Sequence, residues 1–128
     1  MKKYTFKKSE RLKSRKIIER IFNREGKSFS VYPILTVWLE TPLNSEFPAQ
    51  VTFSVSKKKF KKAVQRNRIK RLMREAYRLN KPKFYESLQA KEKQVAIIFV
   101  YLAKEELDFQ TIEAKMKQSL KRLRRNLK

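Results

Sequence analysis

An excess of 34 lysines and arginines over 12 acids, a formal charge of +22 in 128 residues, sets the tightest limit on how this chain can fold. A compact state so charged repels itself and calls for an anionic partner. Nucleic acid fits that role, because dense phosphates reward many dispersed cations through counterion release, whereas a membrane surface requires an amphipathic or lipidated anchor. The same chain is 41% hydrophobic, with nine Phe, five Tyr and one Trp, so it has the apolar surface to form a core that a basic tail lacks. The length suits one core, and residues 1–128 are read as a single nucleic-acid-binding domain.

The longest apolar run, 95–103, is far short of the roughly 20 residues a membrane helix needs, and no signal-peptide core follows the basic N-terminus. A cytoplasmic protein without a membrane partner is expected. There is no cysteine and no histidine, which excludes disulfides, zinc fingers and imidazole chemistry. The acids are scattered. The nearest to a group, Glu105, Glu106 and Asp108, precedes a helical pattern and reads as capping and dipole complementation rather than as a pair of metal ligands. No catalytic residue is assigned.

Along the chain, residues 1–11 are basic and polar apart from Tyr4 and Phe6, and read as an arm that orders late or on binding. Ser14 is placed to cap a helix to Asn23, with Ile17, Ile18, Ile21 and Phe22 on one stripe and Gly26 as its stop. Residues 31–40 and 50–56 are β-branched and aromatic, read as two strands joined by a proline-containing loop and paired antiparallel. From 62 to 79 the period is helical, through Ile69, Leu72, Met73 and Ala76, with a break at 80–82. Residues 95–102 read as a strand buried on both faces, and Asp108 caps a last amphipathic helix. The expected class is α/β, an α+β sandwich in the order αββαβα around a central sheet.

On the 62–79 helix, Arg66, Asn67, Lys70, Arg71, Arg74 and Arg78 share one face, with Arg68 at its margin and Glu75 the one acid. The lysine-rich run before it adds Lys57 and Lys58. Arginine makes bidentate contacts to phosphate, lysine supplies point charge, and asparagine reads base edges or braces a phosphate. A solvated helix face usually interleaves both signs at i,i+4 spacing, whereas this one repels itself unless an anion is present.

The stretch F-S-V-S-K-K-K-F-K-K-A-V-Q-R-N-R-I-K-R-L-M-R-E-A-Y-R, 53–78, resembles the signature of the bacterial ribonuclease P protein subunit, centred on R-N-R, with R-L-K-x4-I-x3-F upstream at 11–22. The resemblance implies a left-handed βαβ crossover, against the usual right-handed default. It implies that the R-N-R helix contacts a catalytic RNA subunit, and that a cleft between the first helix and the sheet takes the single-stranded 5′ leader of precursor tRNA. By position the cleft residues are Ile18, Phe22, Val37 and Ser54, and Tyr4, Phe6, Tyr32 and Trp38 are further aromatics available near it. The family often carries an aromatic at the Ile18 position, which this chain lacks. Implied with it are Mg2+ held mainly by RNA and substrate phosphates, chemistry performed by the RNA, and no obligate protein partner. A ribosomal or other structural RNA-binding protein is the alternative, and a DNA-compacting protein ranks behind both, since neither a recognition-helix pair nor a minor-groove arm is evident.

Overall fold

A computed structural model describes residues 5–127. Its elements are α1 (Arg15–Arg20), β1 (Lys27–Val31), β2 (Ile34–Glu40), β3 (Ala49–Val55), α2 (Ala63–Ala90), β4 (Val95–Tyr101) and α3 (Phe109–Asn126). The strands form one mixed sheet in the order β1-β2-β4-β3.

Two sequence expectations about the sheet are corrected. The predicted strand 31–40 is the second half of a hairpin whose turn lies at Tyr32 and Pro33, with Val31 opposite Ile34. Its first half, β1, reads K-S-F-S-V, and only Phe29 in it is well buried, against Trp38 at 5.4 Å between ring centroids, so the alternation is too weak to see in the sequence. The chain therefore runs αβββαβα. The antiparallel pairing expected between 31–40 and 50–56 is also absent, because β4 lies between them, antiparallel to β2 and parallel to β3. Of all the strands, V-A-I-I-F-V-Y is the one apolar at every position, so it gains most from a neighbour on each edge and a layer on each face.

Side-chain alternation divides the sheet into two faces. Ile34, Thr36 and Trp38 of β2, Val51, Phe53 and Val55 of β3, and Val95, Ile97, Phe99 and Tyr101 of β4 point to a large core closed by α2 and α3. Leu39, Ala96 and Ile98 point the other way, into a smaller cluster closed by Leu12, Ile21 and Leu43.

Helix α2 runs for 28 residues, and the predicted break at 80–82 is absent. Pro82 sits inside it, at a cost of about 3 kcal/mol for the missing N–H and ring clash. Beyond it Phe84, Tyr85 and Leu88 are all buried, and each large apolar side chain so placed contributes about 1.5–3 kcal/mol, enough to carry the helix through. Tyr77 and Tyr85, whose hydroxyls lie 3.3 Å apart, have their phenol pKa values pushed far up by burial.

The N-terminal segment also differs from expectation. Tyr4 lies outside the described residues, but from Thr5 to Arg11 the predicted arm is packed. The Phe6 ring meets Phe53 and Tyr77 at 6.2 and 6.0 Å. Glu10, fully buried, accepts hydrogen bonds from the Tyr85 hydroxyl at 2.6 Å and the Lys7 N–H at 2.7 Å, and pairs with the ammonium of Lys81, itself 4% exposed. Helix α1 starts as predicted, with the Ser14 hydroxyl accepting from the Ile17 N–H at 3.3 Å. It continues as a wider turn, Ile21–Glu25, and ends through Arg24 at φ 75°, not through a left-handed glycine. Gly26 is extended at φ −76°, and what requires glycine is space: a Cβ there would stand 2.5 Å from the Ile21 carbonyl oxygen.

Candidate nucleic-acid interface

The loop before α2 presents Lys57 and Lys58. Ser56 shapes it by accepting the N–H of Lys58 at 3.1 Å, and the buried Phe60 anchors its far end. Lys57 and Lys58 are exposed and without side-chain partners among the described residues, while Lys59 donates to the Leu102 carbonyl at 2.7 Å. Arg66 ties this loop to the helix, its guanidinium donating to the carbonyls of Phe60 and Lys61 at 2.8 and 2.9 Å.

The face that follows is cationic but not wholly unpaired. Asn67, Arg71 and Arg74 are exposed and Lys70 half-buried, and none has a side-chain hydrogen bond or ion pair among the described residues. Arg68 pairs with Glu106 at 2.9 Å, and Arg78 with Glu75, whose carboxyl is held below its ordinary range by that contact. Surface pairs of this kind are worth about 0–1 kcal/mol, less than a charge-assisted bond to phosphate in a drier interface, so they orient the arginines without withdrawing them. Of the three acids before α3, Asp108 does cap the helix, accepting the Thr111 N–H at 2.8 Å. Glu106 instead serves Arg68.

Between this face and the sheet edge lies a recess of about 260 Å³. Lys70 and Arg74 wall it from α2, Thr52 and Phe53 from β3, and Arg11 and Lys13 from the N-terminal segment. Sequence reading did not place Arg11 and Lys13 in the site. They stand there because Leu12 is bonded to the edge of β3, its N–H donating to the Val51 carbonyl at 2.9 Å, and because the buried Glu10–Lys81 pair fastens the preceding turn to α2.

The four residues expected at the cleft fall on one side of the sheet. Ile18 and Val37 are half-buried members of the smaller apolar cluster. Ser54 is exposed and is the cross-strand partner of Val100, another member. Along this face the rows Ser28-Val37-Ile98-Thr52 and Ser30-Leu35-Val100-Ser54 run from one edge to the other. The α1 segment closes the end around Leu39 and Ala96 through Ile21, 3% exposed. Phe22, next to it, is 62% exposed, so its ring is not a core group despite lying on the apolar stripe. Of the other aromatics, Phe6 and Trp38 are packed in the main core, and Tyr32, at the β1–β2 turn, is 62% exposed.

Comparison with known proteins accords with this arrangement. The Ribonuclease P family model matches residues 6–124. The ribonuclease P protein component of Porphyromonas gingivalis is 45% identical over 123 residues, covering 94% of this chain and 87% of the relative. That of Chlorobaculum tepidum is 32% identical over 127 residues, covering 93% and 82%. Among solved structures, the RNase P protein of Thermotoga maritima superposes with a TM-score of 0.67 at 28% identity, over 88% of this chain and 96% of that one. The Staphylococcus aureus RNase P protein, at 23% identity, shares the fold with a TM-score of 0.69 over 89% and 94%.

Proposed function

This chain belongs to the ribonuclease P protein component family, and on that premise we propose that it binds a catalytic RNA subunit through α2 and the 5′ leader of precursor tRNA through the cleft, assisting removal of the leader. The observation that carries the reading is the free cationic row Lys70, Arg71 and Arg74 on α2, preceded by Asn67 one turn earlier and by Lys57 and Lys58 in the loop before the helix. Successive turns rise about 5.4 Å, so the row tracks a folded phosphate backbone. The cleft contributes differently: a half-apolar floor at Ile18 and Val37, hydroxyls at Ser54 and on the neighbouring serines, and the exposed ring of Phe22 as a stacking surface for an unpaired base.

Chemistry is assigned to the RNA. Mg2+ is assigned mainly to RNA and substrate phosphates, which supply the oxygen ligands that this ion prefers. The protein supplies charge neutralisation and substrate position. No described helix is long and apolar enough to cross a membrane, and the expected setting is the cytoplasm.

The test is a salt titration of RNA-subunit binding with Lys70→Ala/Arg74→Ala. Each lost phosphate contact should flatten the slope of log K against log salt by about 0.7–0.9. Arg66 is a poorer target, since its removal also frees the loop at Phe60 and Lys61. An unchanged affinity and slope would mark the face as merely solvated.

A further inference from the structure

A second basic surface, unconnected with the α2 face or the cleft, lies where the C-terminal half of α2 packs beside α3. Two adjoining recesses of about 450 and 320 Å³ meet there and share Lys121 and Arg124. Lys83 of α2 stands on one wall, and Lys117, Lys121 and Arg124 of α3 on the other. The floor is apolar, from Leu79, Pro82, Phe84 and Leu120. The three α3 cations recur at i, i+4 and i+7, so they follow one side of the helix for about 10 Å.

Several observations make this more than a solvated face. Lys83, Lys117, Lys121 and Arg124 have no side-chain hydrogen bond or ion pair among the described residues. In 79–90 and 109–126 the acids are Glu86 and Glu113, neither lines the groove, and Glu113 already accepts from Asn80 at 3.2 Å. Lys117 and Lys121 stand at i,i+4 as like charges, which repel, and Glu113, four residues before Lys117, makes no ion pair with it among the described residues. The far end of the groove is held in shape by Lys91, whose ammonium donates to the Arg124 carbonyl at 2.9 Å and to that of Leu127, so the walls are built and not left to loose side chains.

We infer that the α2–α3 groove binds a second stretch of RNA backbone, and, resting on the proposed function, that this stretch belongs to the catalytic RNA subunit. Phosphates meet the cations of both walls while the apolar floor accepts the ribose side. α2 and α3 cover the sheet face opposite the cleft, so the groove lies away from the entering leader. From Arg66 to Lys83 the helix rises about 25 Å, a span that a large folded RNA bridges and a short strand on one face does not.

The experiment compares three variants in salt titrations of binding to the RNA subunit recovered with this chain from its host. They are the groove variant Lys117→Gln/Lys121→Gln/Arg124→Gln, the face variant Lys70→Ala/Arg74→Ala, and a charge-matched control, Lys8→Gln/Lys27→Gln/Lys104→Gln. Thermal melts check folding, with Lys121→Gln alone as the fallback. The groove variant is expected to bind about tenfold or more weakly, with its salt slope reduced by about 2, and the control to change much less. Equal losses in groove variant and control would reduce the groove to net charge and overturn the inference. So would unchanged RNA-subunit binding, or an effect confined to precursor tRNA affinity of the assembled complex. The face variant reads the proposed function separately: if it weakens binding while the groove variant does not, only this inference fails.

Discussion

Replacing Lys81 by Met tests the buried pair that fastens the N-terminal segment. Lys81 is 4% exposed and Glu10 wholly buried, so the substitution keeps side-chain volume but leaves a carboxylate with two hydrogen bonds, from Tyr85 and Lys7, and no counter-charge. Stranding one member of such a pair costs about 3–5 kcal/mol. For a domain of this size each kcal/mol moves Tm by about 3–5 °C, so a fall of about 10–25 °C is expected. Urea unfolding followed by circular dichroism should show a lower midpoint at unchanged slope. The double variant Glu10→Gln/Lys81→Met, which removes both charges and keeps an acceptor for the Tyr85 hydroxyl, should recover most of the loss. A single variant within about 1 kcal/mol of the parent, or a double no better than the single, would refute the argument that the pair is a coupled clamp. Because the clamp places Arg11 and Lys13 in the recess beside Lys70 and Arg74, the single variant should also bind the RNA subunit more weakly under conditions where it remains folded.

Gly26→Ala should destabilise by about 1–3 kcal/mol, measured by urea denaturation, because the new Cβ meets backbone at Ile21 and no flexible side chain can give way. Tyr77 and Tyr85 have phenols raised by burial, so the stability they contribute is present below the ordinary phenol pKa of about 10 and is lost as pH rises above it. In an ultraviolet titration these two should ionise only together with unfolding, and their smooth titration in a folded chain would contradict the packing. Phe22→Ala should leave Tm within about 1 °C, since the ring is exposed, while reducing leader-dependent binding by about 1–3 kcal/mol if the ring stacks on a base.

The cationic face was legible because one helix carries apolar residues on one stripe and cations on the other, a pattern written within a single element. What pairs with that face was not legible. Glu106 reaches Arg68 across 38 residues of sequence, and no local period announces it. Pro82 signals a break by every local rule, and only the burial of Phe84, Tyr85 and Leu88 beyond it shows why the helix continues. Strand existence was readable for 50–56 and 95–102, but adjacency was not, since hairpin-like loop composition at 41–49 says nothing about a later strand inserting between the two. Phe22 lies on the same apolar stripe as Ile21, and periodicity alone does not distinguish the 3% exposed side chain from the 62% exposed one.

The central claim, that the cleft beside Ile18 and Phe22 holds the leader, is tested most directly by shortening the leader of precursor tRNA one nucleotide at a time and measuring affinity with the RNA subunit alone and with the protein added. The account predicts a protein-dependent preference for precursor over mature tRNA that grows over the first few leader nucleotides and is diminished by Phe22→Ala. A protein that strengthened precursor and mature tRNA alike, at every leader length, would contradict it and leave charge neutralisation as its whole contribution.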